Sequence, residues 1–128
     1  MATASSPTGR RHVVARAADL PDGSVEIVEV AGRSIGVYNV DGRLYGLRNV
    51  CPHHGAPLCR GPVSGTMLPS APQEYRYSET QEHLIVRCPW HGYEFRLDDG
   101  RSLVAPDRMR AKTYRVEREG DEIVLYLQ

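Results

Sequence analysis

Apolar and polar side chains alternate along most of this chain, and the runs are short. His12 to Arg16, Val25 to Val30, Ser34 to Val40 and Arg43 to Asn49 each have strand length and strand-like composition. Leu20-Pro21-Asp22-Gly23 turns the chain between the first two. Asp41-Gly42 separates the next pair and predicts a two-residue hairpin, because both central positions of that turn need positive φ. Around Leu44, Tyr45 and Leu47 the alternation is irregular and does not say which side chain faces inward. Further on, Tyr93 to Leu97 predicts a strand, Asp98-Asp99-Gly100 a turn and Arg101 to Val104 a return. Lys112 to Arg118 and Ile123 to Leu127 predict a closing hairpin across residues 119–122. No segment carries a long 3.6-residue period. The expectation is an all-β chain.

Two loops interrupt this pattern with a different chemistry. Cys51-Pro52-His53-His54-Gly55 and Cys88-Pro89-Trp90-His91-Gly92 each hold a cysteine followed closely by a histidine, one residue between them in the first and two in the second. Together they offer two thiolates and two imidazoles, a donor set for a soft or borderline metal centre gripped from two sides. Pro52 and Pro89 fix the backbone after each cysteine. Gly55 and Gly92 allow positive φ and a close approach of backbone N–H groups to sulfur. Zinc takes the same donor types, but its fingers commonly pair like ligands and place the histidines on a helix. Here each loop carries one of each ligand and is flanked by strands.

At these residues the chain resembles the Rieske iron–sulfur family, whose signature is CxH followed at a distance by CxxH. The Tyr93-Glu94-Phe95 segment and a stretch from Gly100 to Pro106, similar to the family's proline loop, extend the likeness over residues 44–106. The resemblance implies a Rieske-type antiparallel β-sandwich with an inserted cluster-binding subdomain. It also implies one [2Fe–2S] cluster, with Cys51 and Cys88 on one iron and His53 and His91 on the other. Such a cluster is formally neutral when oxidised, because two thiolates and two sulfides balance two ferric ions. An added electron should settle on the histidine-bound iron, since imidazole donates less charge than thiolate. High-potential members carry serine and tyrosine two and four residues after the second ligand histidine. Tyr93 and Phe95 stand there instead, so the expected potential is toward the lower end of the Rieske range, around −150 mV.

Residues 54–87, between the loops, form a longer separation than is usual in the family. An insert over residues 67–82 accounts for it, with Pro69 and Pro72 making its first half irregular. Tyr75 and Tyr77 predict a strand pairing with His83 to Arg87. A partner-docking arm and an elongated surface hairpin are both open readings. Cys59, outside the donor set, reads as a small buried thiol. His54 reads as an exposed loop residue, and His12 and His83 as ordinary strand histidines.

Size and charge narrow the function. At 128 residues the chain is one domain, expected to comprise a disordered tail over residues 1–10 and a Rieske domain over 11–128. Sixteen basic and sixteen acidic residues cancel, so no global field favours nucleic acid or an anionic membrane. Arg10-Arg11 is not followed by an apolar run of signal or anchor length, which leads to the expectation of a cytoplasmic protein. With no HxxxxH pair for a mononuclear iron and no GxGxxG stretch, the sequence shows no independent catalytic site. The resemblance then implies a Rieske ferredoxin, a one-electron carrier between a flavin-dependent reductase and a terminal oxygenase or similar redox enzyme. A tightly bound small subunit of the nitrite reductase type and a zinc-stabilised binding module without redox chemistry are the alternatives.

Overall fold

The computed structural model describes residues 10–53, 55–68, 76–78, 84–90 and 92–127, with only the backbone of 66–68 and 76–78. These residues form eleven strands, all antiparallel in their pairing, and two single 3-10 turns. The all-β, antiparallel class expected from the sequence is the one observed. Residues 1–9 of the expected tail lie outside the described residues, and Arg10 already belongs to the first strand. The chain divides into two units, residues 10–48 with 113–127, and Asn49–Lys112.

The first unit is a six-stranded sheet in the order β1-β11-β10-β4-β3-β2. Its strands are β1 (Arg10–Arg16), β2 (Ser24–Val30), β3 (Arg33–Val40), β4 (Arg43–Arg48), β10 (Thr113–Glu119) and β11 (Glu122–Leu127). The hairpin across Asp41-Gly42 forms as expected, with φ of 53° and 84° at its two central residues. A second two-residue turn, Ala31-Gly32, joins β2 to β3 with φ of 52° and 79°. Alanine there gives no turn signal in the sequence.

Strand β10 changes partner along its length. Thr113 and Tyr114 pair with Leu47 and Gly46 of β4, whereas Arg115 to Glu119 pair with β11. The crossing is close: a Cβ on Gly46 would stand 2.8 Å from Val116 Cγ2 and 3.0 Å from the Tyr114 carbonyl oxygen. This contact explains the irregular alternation of β4, where a glycine occupies a buried position beside the buried Leu47. The core of the unit gathers Leu20, Val30, Ile35, Val37, Val116, Ile123, Leu125 and Leu127, with Leu44 and Tyr114 packed against it. Burying such side chains supplies about 1.5 to 3 kcal/mol each, which is what holds strands of six to eight residues in register.

The second unit contains β5 (Val63–Ser64), β8 (Ile85–Arg87) and β9 (Glu94–Arg96) as one sheet with β8 in the middle, and β6 (Thr66–Leu68) paired with β7 (Arg76–Ser78). The pairing of the insert differs from expectation. Arg76–Ser78 joins Thr66–Leu68, and Ile85–Arg87 joins Val63–Ser64 and Glu94–Arg96 instead of the tyrosine-bearing strand. Alternation in a short segment shows that it can be a strand, but its partner is chosen by long-range packing. Ile85, Val86 and Phe95 are fully buried and give β8 and β9 their place in the unit.

Candidate metal centre

Each cysteine-bearing loop grows directly out of its strand. Arg87 of β8 and Glu94 of β9 are paired residues, with their side chains joined at 2.8 Å, so Cys88 to Tyr93 is the turn of a hairpin. The first loop leaves β4 through Asn49 and Val50 and ends in the 3-10 turn Leu58–Arg60. Asn49 Oδ1 accepts the backbone N–H of Cys59 at 2.7 Å and so brackets the loop from both sides.

The two loops are closed in the same way. Cys51 N–H donates to the Ala56 carbonyl at 2.8 Å, and Gly55 N–H returns to the Cys51 carbonyl at 2.8 Å. In the second loop Cys88 N–H donates to the Tyr93 carbonyl at 2.8 Å, and Gly92 N–H returns to the Cys88 carbonyl at 3.0 Å. Gly55 and Gly92 take φ of 78° and 73°, which is the reason for glycine at these positions. Space is not the reason, because a Cβ on either would meet nothing within 4 Å. Their N–H groups serve the cysteine carbonyls, where the sequence suggested an approach to sulfur.

This frame determines where the donors stand. Cys51 and Cys88 are 1% and 2% exposed, and neither is in a disulfide. His53 is half-buried with its Nδ1 buried, and its ring lies against that of Tyr93, the centroids 4.0 Å apart and the planes tilted by 38°. The ring contact ties the first loop to the second. His91, the fourth expected donor, lies outside the described residues, as do His54 and His83. Two thiols and an imidazole nitrogen turned away from water fit a soft, thiolate-bearing metal group better than a hard cation. Among the described residues no three His, Cys, Asp or Glu side chains gather around a single point. A two-iron group with two protein ligands on each iron does not require three at one ion.

The surroundings add contacts that the sequence did not signal. A Cβ on Gly61 would stand 1.7 Å from the Arg87 carbonyl oxygen, and Arg87 N–H donates to the Pro62 carbonyl at 3.0 Å. The segment after the first loop is thereby packed onto the residue before Cys88. In the proline-containing stretch, buried Ser102 accepts the N–H groups of Val104 and Ala105 on its Oγ at 3.3 and 3.2 Å. Leu103 N–H donates to the Glu94 carbonyl at 3.0 Å, which sets that stretch beside β9. Cys59 is 1% exposed, the small buried thiol that the sequence suggested. His12 lies on β1 opposite Leu125, and its buried Nε2 has no hydrogen-bond partner among the described residues. Val50, Trp90 and Val104 are exposed at 44%, 60% and 75%, which leaves apolar surface on both loops and on the proline stretch.

The chain is 29% identical over 109 residues to the ferredoxin component of a naphthalene 1,2-dioxygenase system from Pseudomonas aeruginosa, covering 85% of this chain and 88% of that one. The ferredoxin of Sphingomonas yanoikuyae B1 superposes with a TM-score of 0.66 at 26% identity, over 93% of this chain and all of that one. The ferredoxin of carbazole 1,9a-dioxygenase from Nocardioides aromaticivorans IC177 has the same fold, with a TM-score of 0.70 at 22% identity over 94% of this chain and all of its own. The family description Rieske [2Fe-2S] domain matches residues 10–115, both loops included, and the chain belongs to that family.

Proposed function

We propose that this chain is a one-electron carrier in which Cys51 and Cys88 hold one iron of a single [2Fe–2S] cluster, and His53 and His91 hold the other. The observation that carries the reading is the matched closure of the two loops, which presents two buried sulfurs from equivalent backbone frames. Bound there, the cluster supplies reversible one-electron chemistry. The chain's own residues govern how that electron enters and leaves. The cysteines sit away from water, while His53 is only half-buried, so the histidine side is the shorter way to a partner. The cluster-binding part then spans about residues 44–106 of a Rieske domain over 11–128.

The potential follows from the donors that the chain offers. Phe95 is fully buried and has no hydroxyl, and the Tyr93 ring is engaged with His53. Fewer hydrogen bonds to the sulfurs stabilise the reduced form less, which supports a potential near the lower end of the range, about −150 mV. A flavin-dependent reductase as donor and a terminal oxygenase or similar redox enzyme as acceptor suit that potential. The Pseudomonas relative is the ferredoxin component of a dioxygenase system, which supports an oxygenase as the acceptor. Trp90 and Val50 would supply apolar contact at such an encounter. No helix among the described residues is long and apolar enough to cross a membrane, and operation in the cytoplasm belongs to this proposal.

The test is transfer itself. Under anaerobic conditions, with NADH, a flavin reductase and an aromatic-ring oxygenase, small amounts of this chain should restore oxygenase reduction over many turnovers. Reduction that stops at one electron per chain, or a permanent stoichiometric complex with one large enzyme, would count against a mobile carrier.

A further inference from the structure

We propose that Tyr93 is a positioning residue for His53, its ring fixing the plane in which the imidazole meets the metal; the inference rests on the reading of His53 as a cluster ligand. A histidine's second side-chain torsion is soft and broad, so the backbone of the first loop cannot set that plane alone. Tyr93 is suited to do so. Its carbonyl accepts the Cys88 N–H at 2.8 Å, which anchors it to the cysteine of the second loop. Its ring lies 4.0 Å, centroid to centroid, from that of His53, tilted by 38°, close enough to hinder rotation of the imidazole. Both residues are half-buried, so a ring swung out of this contact would expose apolar surface to water. His53 in turn stands two residues after Cys51, inside the turn closed by the Gly55 to Cys51 hydrogen bond. The contact therefore links the backbone frame of one cysteine to the imidazole supplied by the other loop. It is made by the aromatic ring, so the hydroxyl of Tyr93 is dispensable for it.

Electron–nuclear double resonance of the reduced holoprotein, grown with 15N-histidine, reads the arrangement without any activity assay. Tyr93→Phe should keep the nitrogen couplings of the native chain and release iron to a chelator at the native rate. Tyr93→Leu and Tyr93→Met should shift one of the couplings and leave the other, and should release iron about tenfold faster, the lower end of what loss of a ligand-orienting partner costs. Circular dichroism melting identifies any variant that is not folded, and Tyr93→Ser, which removes the ring, replaces the aliphatic variants if both fail: native couplings in it overturn the role as they would in Tyr93→Leu. Changed couplings in Tyr93→Phe, or native couplings in folded Tyr93→Leu, would overturn the positioning role. Absence of histidine nitrogen coupling in the native chain would overturn the ligand reading itself, a different result from either.

Discussion

Gly61 lies so close to Arg87 that a Cβ on the glycine would stand 1.7 Å from the arginine's carbonyl oxygen. Arg87 immediately precedes Cys88, so this contact sets the backbone from which the second loop departs. Gly61→Ala must push the two segments apart, and the partner atom is backbone that cannot swing aside. A loss of about 3 kcal/mol or more is expected, at the upper end of overpacking costs, together with a lower iron content in the purified protein. Denaturant unfolding and iron analysis check it; native stability in Gly61→Ala would mean that the contact is not a constraint.

Ala31 occupies a left-handed position that the Ala31-Gly32 turn imposes and alanine disfavours. Ala31→Asn should therefore stabilise the chain by about 0.5 to 1 kcal/mol. Gly46→Ala should do the reverse by about 1 to 3 kcal/mol, because its Cβ would meet Val116 and the Tyr114 carbonyl. Melting curves of the two variants should move in opposite directions.

A surface network on β1, β10 and β11 gives stability a pH dependence. Tyr126 donates its hydroxyl to Glu119, which also accepts from Arg11 at 2.7 Å, while Arg115 stacks over the Tyr126 ring at 4.7 Å. The hydrogen bond from Tyr126, followed by that from Arg11, lowers the Glu119 carboxyl below its ordinary value. The hydrogen bond to Glu119 raises the Tyr126 phenol. A lowered carboxyl favours folding above its unfolded pKa, and the benefit disappears as pH falls through the folded value. A raised phenol favours folding below its unfolded pKa, and the benefit disappears as pH rises through the folded value. The network thus works between the acid and alkaline limbs, and Glu119→Gln should flatten both in a series of melts across pH. Unchanged limbs would show that solvent screens the network completely.

The cysteines separate by role. Cys59→Ala, at a buried site outside the two loops, should cost about 1 kcal/mol and keep the native iron and sulfide content. Cys51→Ser or Cys88→Ser should abolish stable incorporation. Iron and sulfide analysis of the three variants checks the division, and loss of the cluster in folded Cys59→Ala would contradict it.

Replacing an imidazole donor by thiolate adds negative charge. His53→Cys should lower the reduction potential wherever a cluster still assembles, and so should His91→Cys. Protein-film voltammetry reads the shift; an unchanged potential in a verified variant would remove that histidine from the ligand set.

The sequence carries what is local. The Asp41-Gly42 hairpin is legible because both residue types accept positive φ, whereas Ala31-Gly32 hides behind an alanine that takes the same conformation against its preference. The CxH and CxxH spacings are legible because the cysteine and histidine of each motif are near neighbours in the sequence. What depends on two distant segments meeting is not written in either one. The pairing of Arg76–Ser78 with Thr66–Leu68, the seat of Gly61 on Arg87 and the Tyr93 ring on His53 are all of this kind. Tyr93 is instructive, since the motif shows only that a tyrosine stands two residues after His91. Its engagement with the opposite loop emerges from the hairpin that carries it.

The proposed function stands or falls with a histidine- and cysteine-ligated [2Fe–2S] cluster of low potential between the two loops. An anaerobic reductive titration followed by electron paramagnetic resonance, with iron and sulfide measured on the same sample, tests it most directly. Two irons and two sulfides per chain are expected, with a Rieske-type signal that appears only at low potential, about −150 mV. Zinc in place of iron and sulfide, with no signal on reduction, would contradict it and leave the loops a structural metal site.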